Sequence, residues 1–193
     1  MQKQPPSSVY PGIVRLEYDL KYMDEALAAG DGRQDYAEKV GLEHYGDGIP
    51  LDQQRANHKF ATVAEYIVHL YLRVPWRANV GEVKAVDHEF LETRARRIGP
   101  GLPHPDLFIR PRDWEKRFLP YLLVWINEKE CVAYLVGWLC GWEAWRRRGN
   151  WCEARGGWFV PPPYHSIRSL EQWIECGHPR HYHPPLEPVW QRP

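Results

Sequence analysis

Apolar residues in the first part of this chain recur every three or four positions, and further along they gather into short alternating or continuous runs. From Ile13, the residues Leu16, Leu20, Met23 and Leu27 trace one stripe, which predicts an amphipathic helix that stops near Gly30-Asp31-Gly32. The stretch from Asp35 to Pro50 is rich in glycine and charge and reads as a loop. A second helix is marked by Phe60, Val63, Ile67, Leu70 and Val74 and is closed by Pro75. Glu65 falls off that stripe, on the side shared with Thr62 and His69.

Strand signals follow. Glu82 to Asp87 and Leu91 to Arg97 alternate or lean β-branched around a tight His88-Glu89-Phe90 joint, which predicts a hairpin. Asp106 to Pro111 reads as a short strand ended by proline. Tyr121 to Ile126 and Cys131 to Trp138 read as two buried strands pairing antiparallel across the turn Asn127 to Glu130. Gly141 to Gly149 reads as a short helix with Arg146, Arg147 and Arg148 at its C-terminal end and Gly149 as its cap. Trp158-Phe159-Val160 is a last strand. The pattern as a whole predicts an α/β (α+β) fold, a mixed sheet with antiparallel hairpins flanked by helices.

The length of 193 residues suits one domain with a full core. Residues 1–12, with Pro5, Pro6, Pro11 and Gly12, read as a flexible lead, 13–174 as the domain, and 175–193 as a Pro/His-rich tail. The 25 basic and 25 acidic residues cancel, which excludes a dedicated polycationic coat, so any DNA contact has to be local. No run approaches the roughly 18 apolar residues of a membrane span and no signal-peptide core is present, which predicts no membrane partner and a cytoplasmic location. Cys131, Cys140, Cys152 and Cys176 are then expected as reduced thiols. Ten tryptophans and eleven tyrosines are expected to fill the space between sheet and helices.

Candidate chemistry centres on carboxylates. Residues two apart on a strand share a face, so Glu92 and Arg94 point to one side, while Asp87 ends the preceding strand. Metal-dependent phosphodiester cleavage needs converging carboxylates on a hard divalent cation, with a cationic side chain near the phosphate. In the order of its features over residues 13–170, the chain resembles the PD-(D/E)XK nucleases, and among them small proteins encoded by actinobacterial-type phages. The features are a leading helix, Ala64-Glu65 on a helix ending near Val74-Pro75-Trp76, Asp87, Glu92-Thr93-Arg94, and Leu107-Phe108-Ile109-Arg110-Pro111-Arg112-Asp113. A hydrophobic hairpin, Val136-Gly137-Trp138 and Trp158-Phe159-Val160-Pro161 complete them.

The resemblance implies a restriction-endonuclease-like core and a DNA nuclease using Mg²⁺ or Mn²⁺. It would place Asp87 and Glu92 on the metal, Glu65 behind them, and Arg94 where the family has its catalytic lysine. Guanidinium stays charged in proteins, so Arg94 can hold a phosphate and cannot act as a base. A second register, Glu82-Val83-Lys84, keeps the lysine but has no aspartate closer upstream than Asp52. Arg96, Arg97, Arg110 and Arg112 are candidate nucleic-acid contacts, set against ordinary surface charge. Cys176, His178, His181 and His183 offer four zinc-type ligands, though in a spacing that fits no common motif. Two other readings stay open: a nuclease-like fold that only binds DNA or a host or phage protein, and an assembly accessory protein.

Overall fold

The structure, a computed structural model, describes residues 12–41, 49–81, 87–88, 90–99 and 105–176. The predicted lead apart from Gly12, residues 82–86 of the first hairpin strand with the Glu82/Lys84 register, His178, His181, His183 and the tail beyond Cys176 lie outside them. In chain order the elements are β1 (Val14–Glu17), α1 (Asp24–Val40), α2 (Leu51–Leu72), β2 (Glu92–Arg97), β3 (Leu107–Ile109), β4 (Pro120–Asn127), β5 (Val132–Cys140), α3 (Gly141–Arg146), β6 (Trp151–Cys152), β7 (Gly157–Val160) and α4 (Ile167–Glu175). Among the described residues no helix is long and apolar enough to cross a membrane.

The expected α+β mixture with a mixed sheet is what the chain forms. Four strands lie in the order β1-β5-β4-β2, antiparallel except for the parallel pair β2 and β4. β4 and β5 form the expected antiparallel hairpin, from Pro120 opposite Cys140 to Asn127 opposite Val132. A second, three-stranded sheet has the order β3-β7-β6. β4 is buried along its whole length. Its Leu122, Val124 and Ile126 pack with Val63, Ile67 and Leu170 of the helices. Its Tyr121, Leu123 and Trp125 pack on the other side with Leu107, Ile109, Val160 and Trp145. The main sheet is therefore the middle of three layers, with α1, α2 and α4 on one face and the small sheet with α3 on the other.

The N-terminal helix expectation is corrected. Val14 to Glu17 is extended, because Val14 and Leu16 alternate with exposed Arg15 and Glu17 and pair with β5. Asp19 then accepts from the Lys21 N–H and caps a 3-10 turn over Leu20–Tyr22. α1 starts only at Asp24 and runs straight through Gly30-Asp31-Gly32 to a left-handed cap at Gly41, so the expected loop from Asp35 is helical as far as Val40. Gly30 is not a stop. A Cβ there would lie 2.6 Å from Lys59 Cα, so the missing side chain lets α1 and α2 cross closely. Asp31–Lys59 and Asp35–Arg55 pairs lie along the crossing at 3.0 and 2.8 Å.

α2 begins earlier than its apolar stripe indicates, and its buried face is wider, because α1 covers one side and the sheet another. Thr62, Ala64, Glu65 and Val68 join Phe60, Val63 and Ile67 in the interior, while Leu70 is 52% exposed. Further along, α3 ends at Arg146 with Arg147 as its cap, and Gly149 instead donates its N–H to Phe159 O at 2.8 Å. α4 was not expected; Ser166 caps it by accepting from the Ser169 N–H.

On an open helix surface Gly30→Ala would stabilise by about 1 kcal/mol. Here it is expected to destabilise by about 1–3 kcal/mol through overpacking against the Lys59 backbone. Urea denaturation of the two proteins measures the sign, and a gain in stability would refute the close crossing.

Candidate functional site

The chain between α2 and β2 folds back on itself. Trp76 bridges to His88, and His88 exchanges backbone hydrogen bonds with Leu91 in the tight joint the sequence predicts. His88 is fully buried. Its Nδ1 faces Pro75 O at 3.2 Å and its Nε2 lies 3.1 Å from Thr93 Oγ1. A carbonyl only accepts, so Nδ1 carries the hydrogen and Nε2 accepts from the threonine hydroxyl. Burial holds this ring neutral and pushes its pKa down to about 4. Asp87, next to it, accepts the Thr93 N–H on Oδ2 at 2.8 Å, which places its carboxylate at the start of β2.

Two buried carboxylates flank Asp87. Glu65 is 4% exposed, because α1 covers the side of α2 that the sequence leaves polar. Arg33 of α1 grips it with two hydrogen bonds, 2.8 Å to Oε1 and 2.7 Å to Oε2, and Trp76 Nε1 donates to Oε2 at 3.2 Å. Burial, and then the charge of Asp87, push its pKa up to about 7 against the pull of Arg33 and Trp76. Glu92 is 1% exposed. Its Oε1 lies 2.7 Å from Lys116 Nζ and its Oε2 lies 3.4 Å from Arg94 Nη2. Burial, and then Asp87, push it up to about 8 against the pull of Arg94 and Lys116.

Arg94 shares its face of β2 with Glu92, as the alternation predicts. It lies over the Tyr121 ring at 4.8 Å and 3.2 Å from Asp113 Oδ1. Burial works against its charge, but Asp113, Glu92, Tyr121 and Asp87 outweigh it and hold the pKa above the ordinary value. Lys116 and Asp113 come from a 3-10 segment, Pro111–Lys116, which Asp113 also caps by accepting the Arg110 N–H at 2.8 Å. Neither residue was a candidate from sequence, and nor was Arg33; Lys116 and Arg33 are remote in the chain from the carboxylates they meet, as Asp113 is from Arg94.

This donor set does not fit the Mg²⁺ or Mn²⁺ that the resemblance implies. Among the described residues no three His, Cys, Asp or Glu side chains are grouped to hold a metal ion. A hard divalent cation needs several carboxylate oxygens facing a common point. Here both oxygens of Glu65 are taken by Arg33 and Trp76, those of Glu92 face Lys116 and Arg94, and Oδ2 of Asp87 is held by a backbone N–H. The carboxylates and their cations form a self-neutralising cluster. Cys176 is an exposed free thiol, and the other three cysteines are free as well.

The arginine candidates separate. Arg97 points to the helix face, where it pairs with Glu128 at 2.6 Å, donates to Asn57 and covers Phe60. Arg96, Arg110 and Arg112 come together instead, in an open cleft of about 640 Å³ that they share with Arg155, Phe108 and Glu153. Arg96 lies two residues beyond Arg94 on the same face of β2 and rests against Phe108 and Phe159, which are paired across β3 and β7. Its Nε is shut off from solvent and meets no hydrogen-bond acceptor among the described residues. Burial, and then Arg155 and Arg110, press its pKa down to about 10. Arg155 was missed because the short turn at Glu153–Arg155 carries no motif of its own.

The two glutamates bind more protons folded than unfolded between the ordinary carboxylate pKa of about 4.3 and their raised values. Their contribution to stability is full below that range and is lost as pH rises through about 7 and about 8. His88 acts oppositely: its contribution is full above its ordinary value of 6.5 and is lost as pH falls through about 4. Melting temperature is thus expected to be higher near pH 6 than near pH 9, with Glu92→Gln shrinking the difference. Calorimetry across that range checks this; an unchanged slope in the variant would show that Glu92 does not take up the proton.

No protein-family model, curated protein or solved structure matches this chain.

Proposed function

We propose that this protein binds nucleic acid through its phosphate backbone, on a restriction-endonuclease-like core whose carboxylates serve structure. One observation carries the reading: among the described residues that line the cleft, four are arginines and one, Glu153, is a carboxylate. Burial, and then the charges of Arg155 and Arg110, press the Arg96 pKa down against the pull of Asp106, and a polyanion relieves that cost. Arg96, Arg94 and Glu92 form a row on one face of the edge strand, about 13 Å from first to last.

The second reading is phosphodiester cleavage at the Glu92 end of the row, and Lys116 favours it. Its ammonium, 2.7 Å from Glu92, is a lysine of the kind that the Arg94 position lacks. The closed donor set described above weighs against it.

Four phosphate contacts to a single strand give a slope of roughly −3 for log affinity against log salt, or about a 50-fold loss between about 50 and 200 mM. Arg155→Ala is expected to lower the slope by about 0.7. Binding is expected to need no divalent cation, and oligonucleotides are expected to remain uncut with Mg²⁺ or Mn²⁺. Salt titrations and a cleavage assay test both halves; metal-dependent cutting lost in Asp87→Ala and Glu92→Ala would establish the nuclease reading instead.

A further inference from the structure

Resting on the backbone-binding reading, we infer that the arginine cleft takes an unpaired nucleic-acid strand and discriminates against duplex. The arrangement of its charges is the reason. Arg96 is set into the floor on the Phe108 and Phe159 rings, with its Nε buried, Arg110 rises beside it over Phe108, and Arg112 and Arg155 stand exposed at the rim. A ligand must enter the cleft to reach Arg96. Duplex phosphates lie on the outside of a stiff cylinder, and proteins that read a duplex send a helix or a β-ribbon outward into its groove. The cleft is instead concave, and 3-10 turns and strand ends line it.

Its size agrees. About 640 Å³ falls within the few hundred to a thousand Å³ typical of small-ligand sites, which suits a few linked nucleotides and not a helix some 20 Å across. A flexible single strand can turn its phosphates inward to Arg96 and Arg110 and lay its bases on guanidinium planes, the mode by which proteins hold unpaired strands. Base edges find little to read. Among the described lining residues Glu153 is the one carboxylate and Phe108 is apolar, so the cleft recognises charge and unpaired backbone with little regard to sequence.

DNA and RNA share this phosphodiester chemistry. The test measures fluorescence anisotropy of the full chain with labelled oligonucleotides of about twelve nucleotides, as unpaired DNA, unpaired RNA and blunt DNA duplex of one sequence. Unpaired strands are expected to bind about tenfold or more tightly than duplex, with little dependence on base sequence, and the tighter strand identifies the preferred sugar. Arg112→Glu with Arg155→Glu is expected to abolish the preference while circular dichroism and melting temperature stay as in the wild type. Duplex binding as tight as strand binding, or a strand preference that survives the charge reversal, overturns the inference and leaves nucleic-acid binding standing. If none of the three oligonucleotides binds, the underlying reading fails too.

Discussion

The burial of β4 on both faces is the constraint from which the rest of the arrangement follows. A strand with no exposed residue needs an apolar layer above and below, and the helices and the small sheet supply these. Hydrogen bonding in its plane then leaves two neighbours, β5 and β2. β2 is the outer of the two, where the layers part. Charged side chains can therefore stand on it between the layers, with their polar ends at the margin and their stems against Tyr121, Phe108 and Phe159.

Charge in such a place has to be matched. At the Glu92 end it is matched internally, by Lys116, Arg94 and, across α2, Arg33 on Glu65. Removing one member of a buried pair strands the other, which is why such clusters are costly to disturb even when they add little net stability. At the Arg96 end, the buried Arg96 Nε meets no hydrogen-bond acceptor among the described residues. Asp113 stands between the two regimes, with one oxygen toward Arg94 and the other holding the Arg110 N–H. The short Pro111–Lys116 segment thus carries a cleft residue at its start and a partner of the buried carboxylate at its end.

Much of the fold was legible in the residues. The hairpin of β4 and β5 is written as two apolar runs around a polar turn, and the joint at His88 as a break between alternating stretches. The first helix was misread because Ile13, Leu16 and Leu20 satisfy a three-to-four spacing while Val14 and Leu16 also satisfy a spacing of two; pairing with a strand far along the chain decides between them. Gly30 looked like a terminator because the nearness of Lys59 cannot be seen locally. Within the site, alternation correctly put Glu92 with Arg94, while Arg97, grouped with Arg96 as a nucleic-acid contact, turns to the helix face instead. Alternation could not show that Glu65, off the apolar stripe, would be roofed by α1 and met by Arg33, nor that Lys116 and Arg155 would complete two different clusters.

The pairing of β1 with β5 links residues roughly 120 positions apart, Val14 with Leu135. A ribosome delivers the first of these long before the second exists. Until β5 has been made, the N-terminal strand has no edge to join, and the hairpin of β4 and β5, whose contacts are local, can form before β1 closes the sheet. The order of synthesis therefore makes the first strand of this protein among the last to find its place.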